Sequence, residues 1–207
     1  MTWSIVARDA TGALGVIVAS RFFAVGALCP HAHSGVGALS TQALVNPLYG
    51  ARGLALLAQG NAPADVVRVL TFADAGREHR QLHLIDAEGN IAAYTGVECI
   101  EWCGQVAGDG FSVAGNMLAG PQVIEQTARS YDAGHELPFA ERLIAAMEAG
   151  EAAGGDKRGK QSAAILIVKD KAGYGGSDDR YVDLRVDDHE EPVTELARLV
   201  AKRVPKK

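Results

Sequence analysis

The residue of greatest chemical interest in this sequence is a threonine directly behind the first methionine. Removal of Met1 would leave Thr2 with a free α-amine beside its own hydroxyl. An α-amine has a pKa close to neutral pH, so a useful fraction of it is unprotonated there. Such an amine can act as the general base that activates the threonine hydroxyl for attack on an amide carbonyl. Alternatively, Thr2 is simply the second residue of a strand.

Two junctions between predicted elements carry amide side chains that could serve the same site. STQALVNP places Thr41 and Gln42 just before a predicted helix, and GFSVAGNMLAGP places Gly115 and Asn116 between a strand and a helix. Small or glycine residues at such junctions let donors approach a ligand closely, although a tight turn explains them equally well. We expect donors near Gln42 and Asn116 to stabilise an oxyanion, and Thr41 and Gly115 to contact substrate.

A third junction, GGDKRGKQS, supplies charged groups before a predicted strand. We expect Asp156 and Arg158 to orient the α-amine or to bind a substrate carboxylate, and Ser162 to contact substrate. Ser4 lies two residues beyond Thr2 and therefore on the same face of a strand. It could replace Thr2 as nucleophile or orient its amine.

Two further residues are reserve candidates. VDDHEEP places His189 beside acidic residues at the start of the last predicted helix, where acids favour the helix dipole and cap N–H groups. We interpret this motif as capping and bonding between elements, with His189 as a reserve acid–base group. A hydrolase that pairs His189 with Ser4 or Ser162 is a less favoured alternative. Arg21, at the end of the second predicted strand, is the nearest cation but a poor proton shuttle.

Other motifs do not predict a metal or a cofactor. CPHAH and CIEWC lack the usual zinc-ligand spacing, and buried thiols explain them more simply. GGDKRGKQ follows a helix and has Gln161 where a P-loop needs Ser or Thr. SGVGALS lacks the third glycine of a dinucleotide fingerprint.

Composition restricts the class of protein. The 207 residues are 48% hydrophobic and 22% charged with a net charge of −5, which favours one globular domain over residues 1–207 and argues against a nucleic-acid-binding surface. No apolar stretch is long enough to span a membrane. Three cysteines cannot all pair, which suits a reducing, cytoplasmic compartment. We expect a small-molecule substrate and a homodimer.

Hydrophobic periodicity and turn chemistry predict the elements that position these residues. Strands are predicted over 2–8, 14–20, 35–42, 81–86, 91–95, 110–115, 162–168 and 181–186. Helices are predicted over 47–60, 63–74, 121–132, 138–153 and 192–203, each opening on a proline. Hairpin strands and consecutive helix pairs do not suit a doubly wound sheet. They predict an α+β fold, a four-layer αββα sandwich of two mainly antiparallel sheets.

Six segments of the sequence are similar to those of a known protein family: TWSIVARDATGALGVIVAS, TQALVNPLYGARGL, RQLHLIDAEGNIAAYTG, GDGFSVAGNMLAGP, GGDKRGKQSAA and VDLRVDDH. The chain resembles, over nearly its whole length, an uncharacterised bacterial family placed in the N-terminal nucleophile (Ntn) hydrolase superfamily. That resemblance implies the αββα fold and amide hydrolysis, without a known substrate.

The element order also resembles that of proteasome β subunits, whose nucleophilic threonine opens the first strand. By position Thr2 matches that threonine, and Asn116, Asp156 and Ser162 fall where supporting polar groups are found there. The segment at Gln42 precedes the first helix, where a backbone N–H forms the oxyanion hole. This sequence departs from the pattern because its early strands contain no lysine and no propeptide precedes Thr2. A non-catalytic binding protein that retains Met1 is the alternative.

Overall fold

The computed structural model describes residues 2–204, which form ten strands and five α-helices. The strands are β1 (Thr2–Arg8), β2 (Leu14–Ser20), β3 (Pro30–His33), β4 (Gly37–Ala43), β5 (Arg80–Asp86), β6 (Ile91–Thr95), β7 (Gly104–Gly108), β8 (Phe111–Asn116), β9 (Ser162–Val168) and β10 (Arg180–Val186). The helices are α1 (Leu48–Ala58), α2 (Pro63–Phe72), α3 (Gln122–Ala133), α4 (Phe139–Ala152) and α5 (Pro192–Arg203). Met1, whose removal the threonine hypothesis requires, lies outside the described residues.

The strands form two antiparallel sheets that pack face to face. The six-stranded sheet has the order β10-β9-β2-β1-β8-β7, and the four-stranded sheet has the order β3-β4-β5-β6. Helices α3, α4 and α5 cover the larger sheet, while α1 and α2 cover the smaller one. The predicted four-layer αββα sandwich is therefore confirmed. Within residues 2–204, none of the helices combines the length and the apolar character needed to cross a membrane.

Strand β2 shows why the sandwich has this form. All seven residues of LGVIVAS are buried, as its unbroken apolar sequence predicts for a strand covered on both faces. On the helix side, Ile5 and Ile17 join Leu143 and Met147 of α4 in one buried cluster. The odd and even positions of β1 and β2 thus face different layers, because successive side chains of a strand point to opposite faces.

Two strands escaped prediction, and both lie at sheet edges. Strand β3 begins with a proline and carries two histidines, whereas β7 begins and ends with glycine and is largely accessible. Neither has the alternating apolar pattern of a half-buried strand. Each therefore owes its conformation to pairing with its neighbour, β4 or β8. The other eight strands and all five helices were predicted with shifts of about one or two residues at their ends, which is the usual uncertainty of a boundary.

Candidate active site

Four polar side chains lie side by side across the ends of four adjacent strands. Asn116 of β8 pairs with Thr2 of β1, and Ser20 of β2 pairs with Ser162 of β9. The neighbouring pair Trp3–Ala19 sets the register that places Thr2 opposite Ser20. Directly paired residues project to the same face of a sheet. These four residues, here called the polar row, face the smaller sheet and are at most 4% exposed.

Hydrogen bonds connect Thr2 to both of its neighbours in the polar row. Thr2 Oγ1 lies 3.2 Å from Ser20 Oγ, and Asn116 Nδ2 donates to the Thr2 carbonyl oxygen at 3.4 Å. Ser162 instead donates to the carbonyl of Phe22 at 2.5 Å and accepts the N–H of Val25 at 3.1 Å. Ser162 therefore holds the turn that follows Ser20 and does not bond Thr2 directly.

A network of buried amide and hydroxyl side chains joins the polar row to the smaller sheet. Gln42 Nε2 donates to Gln81 Oε1 at 2.8 Å and to the carbonyl of Ala114 at 3.1 Å. Gln42 Oε1 accepts from the hydroxyls of Ser4 at 2.7 Å and Ser40 at 3.1 Å. Both amide hydrogens of Gln42 are thus used within the network, which crosses from one sheet to the other.

His83 continues this network and is completely buried. Its Nε2 lies 2.8 Å from Ser4 Oγ, and its Nδ1 lies 3.1 Å from Ser112 Oγ. The Ser4 proton is directed to Gln42 Oε1, so His83 Nε2 must carry the hydrogen and Nδ1 must accept from Ser112. Burial lowers the pKa of His83 to about 3, which keeps the ring neutral at physiological pH.

The orientation of Gln81 determines that of Asn116. Gln81 Nε2 donates to the Gly115 carbonyl at 2.9 Å and to Thr95 Oγ1 at 3.0 Å. Gln81 Oε1 is therefore an acceptor, and it receives Nδ2 of Asn116 at 3.0 Å besides Nε2 of Gln42. Both Asn116 hydrogens are accounted for, whereas Asn116 Oδ1 has no partner within residues 2–204. The side-chain N–H groups of Gln42 and Asn116 are thus already committed.

Asp156 anchors the loop between α4 and β9 beside the polar row. Its carboxylate accepts the backbone N–H of Arg21 at 2.7 Å and that of Arg158 at 2.8 Å. The Arg158 guanidinium also contacts Asp156 at 3.2 Å, and the Arg21 guanidinium donates to the Arg158 carbonyl at 2.7 Å. The Asp156 side chain is only 1% exposed. These bonds fix residues 156–158 against the residue that follows Ser20.

A cavity of about 100 Å³ opens beside Ser20 and Asp156. Its walls also include Trp3, Glu151 and Lys160. Lys160 lies 3.1 Å from Glu151, whose pKa is raised by burial although this ion pair opposes the shift. Since Trp3 and Ala19 point toward the helix layer, this cavity lies on the other side of the larger sheet from the polar row, and Thr2 is not among its walls.

A larger cavity of about 640 Å³ lies at the opposite end of the smaller sheet. It is bordered by Asp86, which pairs with Gly37 at the start of β4, whereas Gln42 lies near the end of that strand. The Asp86 carboxylate already accepts hydrogen bonds from the backbone and side-chain N–H groups of Asn90 and from the backbone N–H of Glu88. We therefore base the site on the polar row and not on cavity size.

The left-handed residues Ala43 and Met117 follow the two amide side chains directly. Their φ angles are 68° and 52°, a region that costs a residue with a Cβ roughly 1 kcal/mol or more. Ala43 comes immediately after Gln42, and Met117 comes immediately after Asn116. The backbone therefore leaves the strand direction sharply at the ends of β4 and β8, directly after the residues whose amide side chains join the network.

Thr41 and Gly115 do not lie in the space between the sheets. Thr41 alternates with Gln42 and projects toward the helix layer, where its hydroxyl donates to the carbonyl of Asn46 at 3.2 Å. Gly115 also belongs to the helix-facing set. A Cβ there would come within 2.5 Å of Leu118, so glycine is needed for close packing.

His189 lies outside the site. It is exposed, and its Nδ1 accepts the backbone N–H of Glu191 at 2.9 Å. The prediction that acidic residues of VDDHEEP cap α5 is wrong, because Asp187 pairs with Arg185 and α5 has no side-chain cap. The predicted bonding between elements is present, since Asp188 accepts from Gln161 at 3.1 Å.

The cysteines and histidines of CPHAH and CIEWC lie in the packing and hydrogen bonding of the fold. Burial raises the pKa of Cys29 to about 12, and His31 bonds the carbonyl of Leu28 at 3.1 Å. Cys99 and Cys103 are free thiols. Across residues 2–204, no group of three or more His, Cys, Asp or Glu side chains is placed to hold a metal ion.

Sequence reasoning missed Ser20, Gln81 and His83. Polar residues at alternate positions, as in SxQ of β4 and QxH of β5, are the usual pattern of a strand with one face in water. Here the polar face is turned inward against a second sheet. In a four-layer fold both faces of these strands are buried, so polar residues on either face must have hydrogen-bond partners inside the protein.

The fold and the site together define an αββα protein with a buried polar network at the threonine end of its first strand. A family model described as "Family of unknown function (DUF1028)" matches residues 2–196, so the chain belongs to that family. The chain is similar to protein SPO2555 from Silicibacter pomeroyi, whose crystal structure carries the same family designation. The identity is 33%, the TM-score is 0.91, and the match covers 100% of this chain and 87% of that one.

A second solved structure is much more distant. Anbu (ancestral beta-subunit) from Yersinia bercovieri shares 13% identity over 99% of both chains, with a TM-score of 0.44. No curated protein matches the chain.

Proposed function

We propose that this protein is an Ntn-type amidohydrolase that cleaves a small amide or acyl-amino-acid bond. After removal of Met1, the Thr2 hydroxyl attacks the carbonyl carbon and its proton passes to the Thr2 α-amine. The amine then returns that proton to the leaving nitrogen. Water hydrolyses the resulting acyl ester and restores Thr2.

The observation that carries this proposal is the place of Thr2 in the polar row. Its hydroxyl lies 3.2 Å from Ser20, at the one end of the larger sheet where four polar side chains meet. The rest of the same face consists largely of apolar residues such as Val6, Val16 and Val18. Burying hydroxyls and amides is costly unless they are bonded, so such a concentration favours a functional role.

The remaining groups act around this centre. Asp156 and Arg158 hold the adjoining loop, and the Arg158 guanidinium, which contacts Asp156 and has a side chain 41% exposed, would also bind a substrate carboxylate. The side-chain N–H groups of Gln42 and Asn116 are already used in the network, so these residues do not supply them to an oxyanion. Their role is to position the ends of β4 and β8. Ser4 is completely buried and bonded to Gln42 and His83, which favours Thr2 over Ser4 as the nucleophile.

The first experiment determines the N-terminus and then removes the hydroxyl. Intact mass of the protein from its native host is expected to lack Met1. Processed protein is screened against small amides and N-acyl amino acids, and Thr2→Ala is expected to lose on the order of a thousandfold in turnover. Its free energy of unfolding should fall by about 1 kcal/mol, the cost of one lost hydrogen bond, so the variant stays folded. The matched control is Thr194→Ala, at an exposed position of α5.

A second candidate function is a small-molecule-binding protein that keeps Met1. The observation that favours it is the 4% exposure of Thr2. Quantitative retention of Met1 in the native host would rule out the hydrolase and support this alternative. Unchanged turnover in Thr2→Ala would move the nucleophile to another residue.

A further inference from the structure

Asn116 Oδ1 is a buried acceptor whose orientation follows from its neighbours. Gln81 Nε2 faces carbonyl and hydroxyl oxygens, so Gln81 Oε1 must accept and Asn116 must present Nδ2 to it. Exchanging the oxygen and nitrogen of Asn116 would place two acceptors 3.0 Å apart. The Asn116 oxygen is consequently the atom left without a partner in residues 2–204, and Asn116 is 1% exposed. A buried amide oxygen without a donor is unfavourable, because it has lost its hydrogen bond to water and gained none within the protein.

The unused oxygen belongs to the residue paired with Thr2. Asn116 and Thr2 are direct partners of the antiparallel strands β8 and β1, so their side chains share one face of the sheet. Cβ atoms of such partners are about 4.5–5.5 Å apart. Asn116 Nδ2 already reaches the Thr2 carbonyl at 3.4 Å. The amide thus lies against the backbone of Thr2.

We infer that Asn116 Oδ1 receives an N–H of the free Thr2 α-amine and that Asn116 is the positioning residue of this base. The inference rests on the proposed function in that it requires a processed N-terminus. In this role Asn116 is a hydrogen-bond acceptor toward the amine through its side-chain oxygen. An oxyanion-hole residue would instead donate through its side-chain nitrogen. A hydrogen bond to Asn116 Oδ1 fixes the rotation about the Thr2 Cα–N bond, and with it the direction of the amine lone pair that takes the hydroxyl proton.

The buried network determines this polarity. Hydrogen bonds run in one direction from Ser112 through His83 and Ser4 to Gln42, and Gln42 then donates to Gln81. Gln81 is left as an acceptor toward Asn116. Every donor in this sequence of bonds is used, so within residues 2–204 the network ends at the Thr2 side on the unpartnered oxygen of Asn116, which can accept a hydrogen bond from a donor.

Carbon-13 NMR of threonine-labelled protein tests the inference, because the Cα and Cβ shifts of Thr2 titrate with its α-amine. The Thr2 signals are assigned with Thr2→Ser. Asn116→Ala is expected to lower the pKa of the α-amine, since the ammonium form loses its acceptor. Asn116→Asp is expected to raise that pKa, since a carboxylate favours the ammonium form. An α-amine that titrates identically in wild type and in both variants would overturn the inference.

Thr95→Val is the matched control. It removes one bond of Gln81 on the side away from Asn116 and should leave the α-amine pKa where it is in the wild type. With a substrate in hand, the pH at which turnover rises should follow the α-amine pKa, and Asn116→Ala should lower kcat about 10- to 100-fold. A merely structural Asn116 would change stability without moving the titration. Melting temperatures of all variants identify any that fail to fold.

The outcome is separable from that of the proposed function. Intact mass reports whether the native host removes Met1. If it does not, a fusion cleaved immediately before Thr2 supplies the same free amine, and the titration is run on that protein. An inactive protein whose amine still responds to Asn116 would support the inference while the hydrolase proposal fails.

Discussion

The two faces of the six-stranded sheet are built from the same strands but have different chemistry. The face toward α3, α4 and α5 is a continuous apolar cluster that includes Ile5, Ile17 and Leu143. The opposite face is apolar along most of its length and becomes polar at the Thr2 end. Burial is equally complete on both faces, so burial alone does not distinguish packing from function. The distinguishing property is whether buried groups need specific partners.

This difference has an energetic consequence. An apolar cluster gains stability from area and fit, and loses it when volume is removed. A hydrogen-bonded network contributes little net stability when complete but is costly when one member is missing. Substitutions on the two faces should therefore differ in mechanism as well as in size.

The largest expected change in stability comes from the apolar face. Leu143→Ala removes a completely buried side chain from α4 and should cost about 3–5 kcal/mol in the free energy of unfolding, measured by urea denaturation. Leu48→Ala, at a position that is 55% exposed, is the control and should change it by less than about 0.5 kcal/mol. Similar losses at the two leucines would contradict the assignment of stability to this face.

The next largest change in the free energy of unfolding is expected at Gln81, which bonds several members of the polar network. Gln81→Leu keeps most of the volume but leaves Gln42, Asn116 and Thr95 without a partner atom, which should cost about 2–3 kcal/mol. Gln59→Leu is the exposed control. If Gln81→Leu is neutral or stabilising, the network is dispensable and the contrast between the faces is lost.

A pH effect of about 2 kcal/mol should follow from His83. Its pKa is lowered from 6.5 to about 3 by burial, so the unfolded chain binds a proton more readily than the folded one. This contribution to stability is complete above pH 6.5 and is lost as the pH falls toward 3. Between pH 7 and pH 5 the loss should be about 2 kcal/mol.

His83→Gln is the matched variant for this measurement, because glutamine cannot titrate. Its free energy of unfolding should fall less than that of the wild type over the same pH range, while His135→Gln, at an exposed position, should follow the wild type. Parallel curves for wild type and His83→Gln would show that His83 is not the titrating group.

The smallest expected effect is at the far end of the network. Ser112→Ala removes the donor to His83 Nδ1 and should cost about 1 kcal/mol, with Ser177→Ala as the exposed control. Nitrogen-15 NMR should find the hydrogen of His83 on Nε2 in the wild type. A hydrogen on Nδ1 would reverse the direction of the hydrogen bonds inferred for the network.

The fold was largely predictable because most of its elements have strong local patterns. LGVIVAS predicts a strand buried on both faces, and Pro192 predicts the start of α5 at that residue. The edge strands β3 and β7 were not predictable, since proline, histidine and glycine are poor strand formers. Only the pairing of each with its neighbour gives it strand geometry.

The site was predictable in part. Sequence junctions identified Asn116, Asp156 and Ser162, and the structure brings these three to the Thr2 end of the sandwich. Thr41 faces the helix layer and not the polar network, because strand alternation separates it from Gln42. His83 and Gln81 were missed since a polar residue in a strand gives no local sign of whether it meets water or another sheet.

Local sequence patterns were enough to predict the five helices, every strand of residues 2–204 except the edge strands β3 and β7, the two-sided burial of β2 and the position of Thr2 at the start of the first strand. These properties depend on periodicity and turn residues, which are local. Tertiary structure alone decided that Asn116, Thr2, Ser20 and Ser162 form one row, because that requires the register of four strands far apart in the chain. It also decided that Asn116 presents its oxygen, since that orientation follows from the bonds of Gln81 on the opposing sheet.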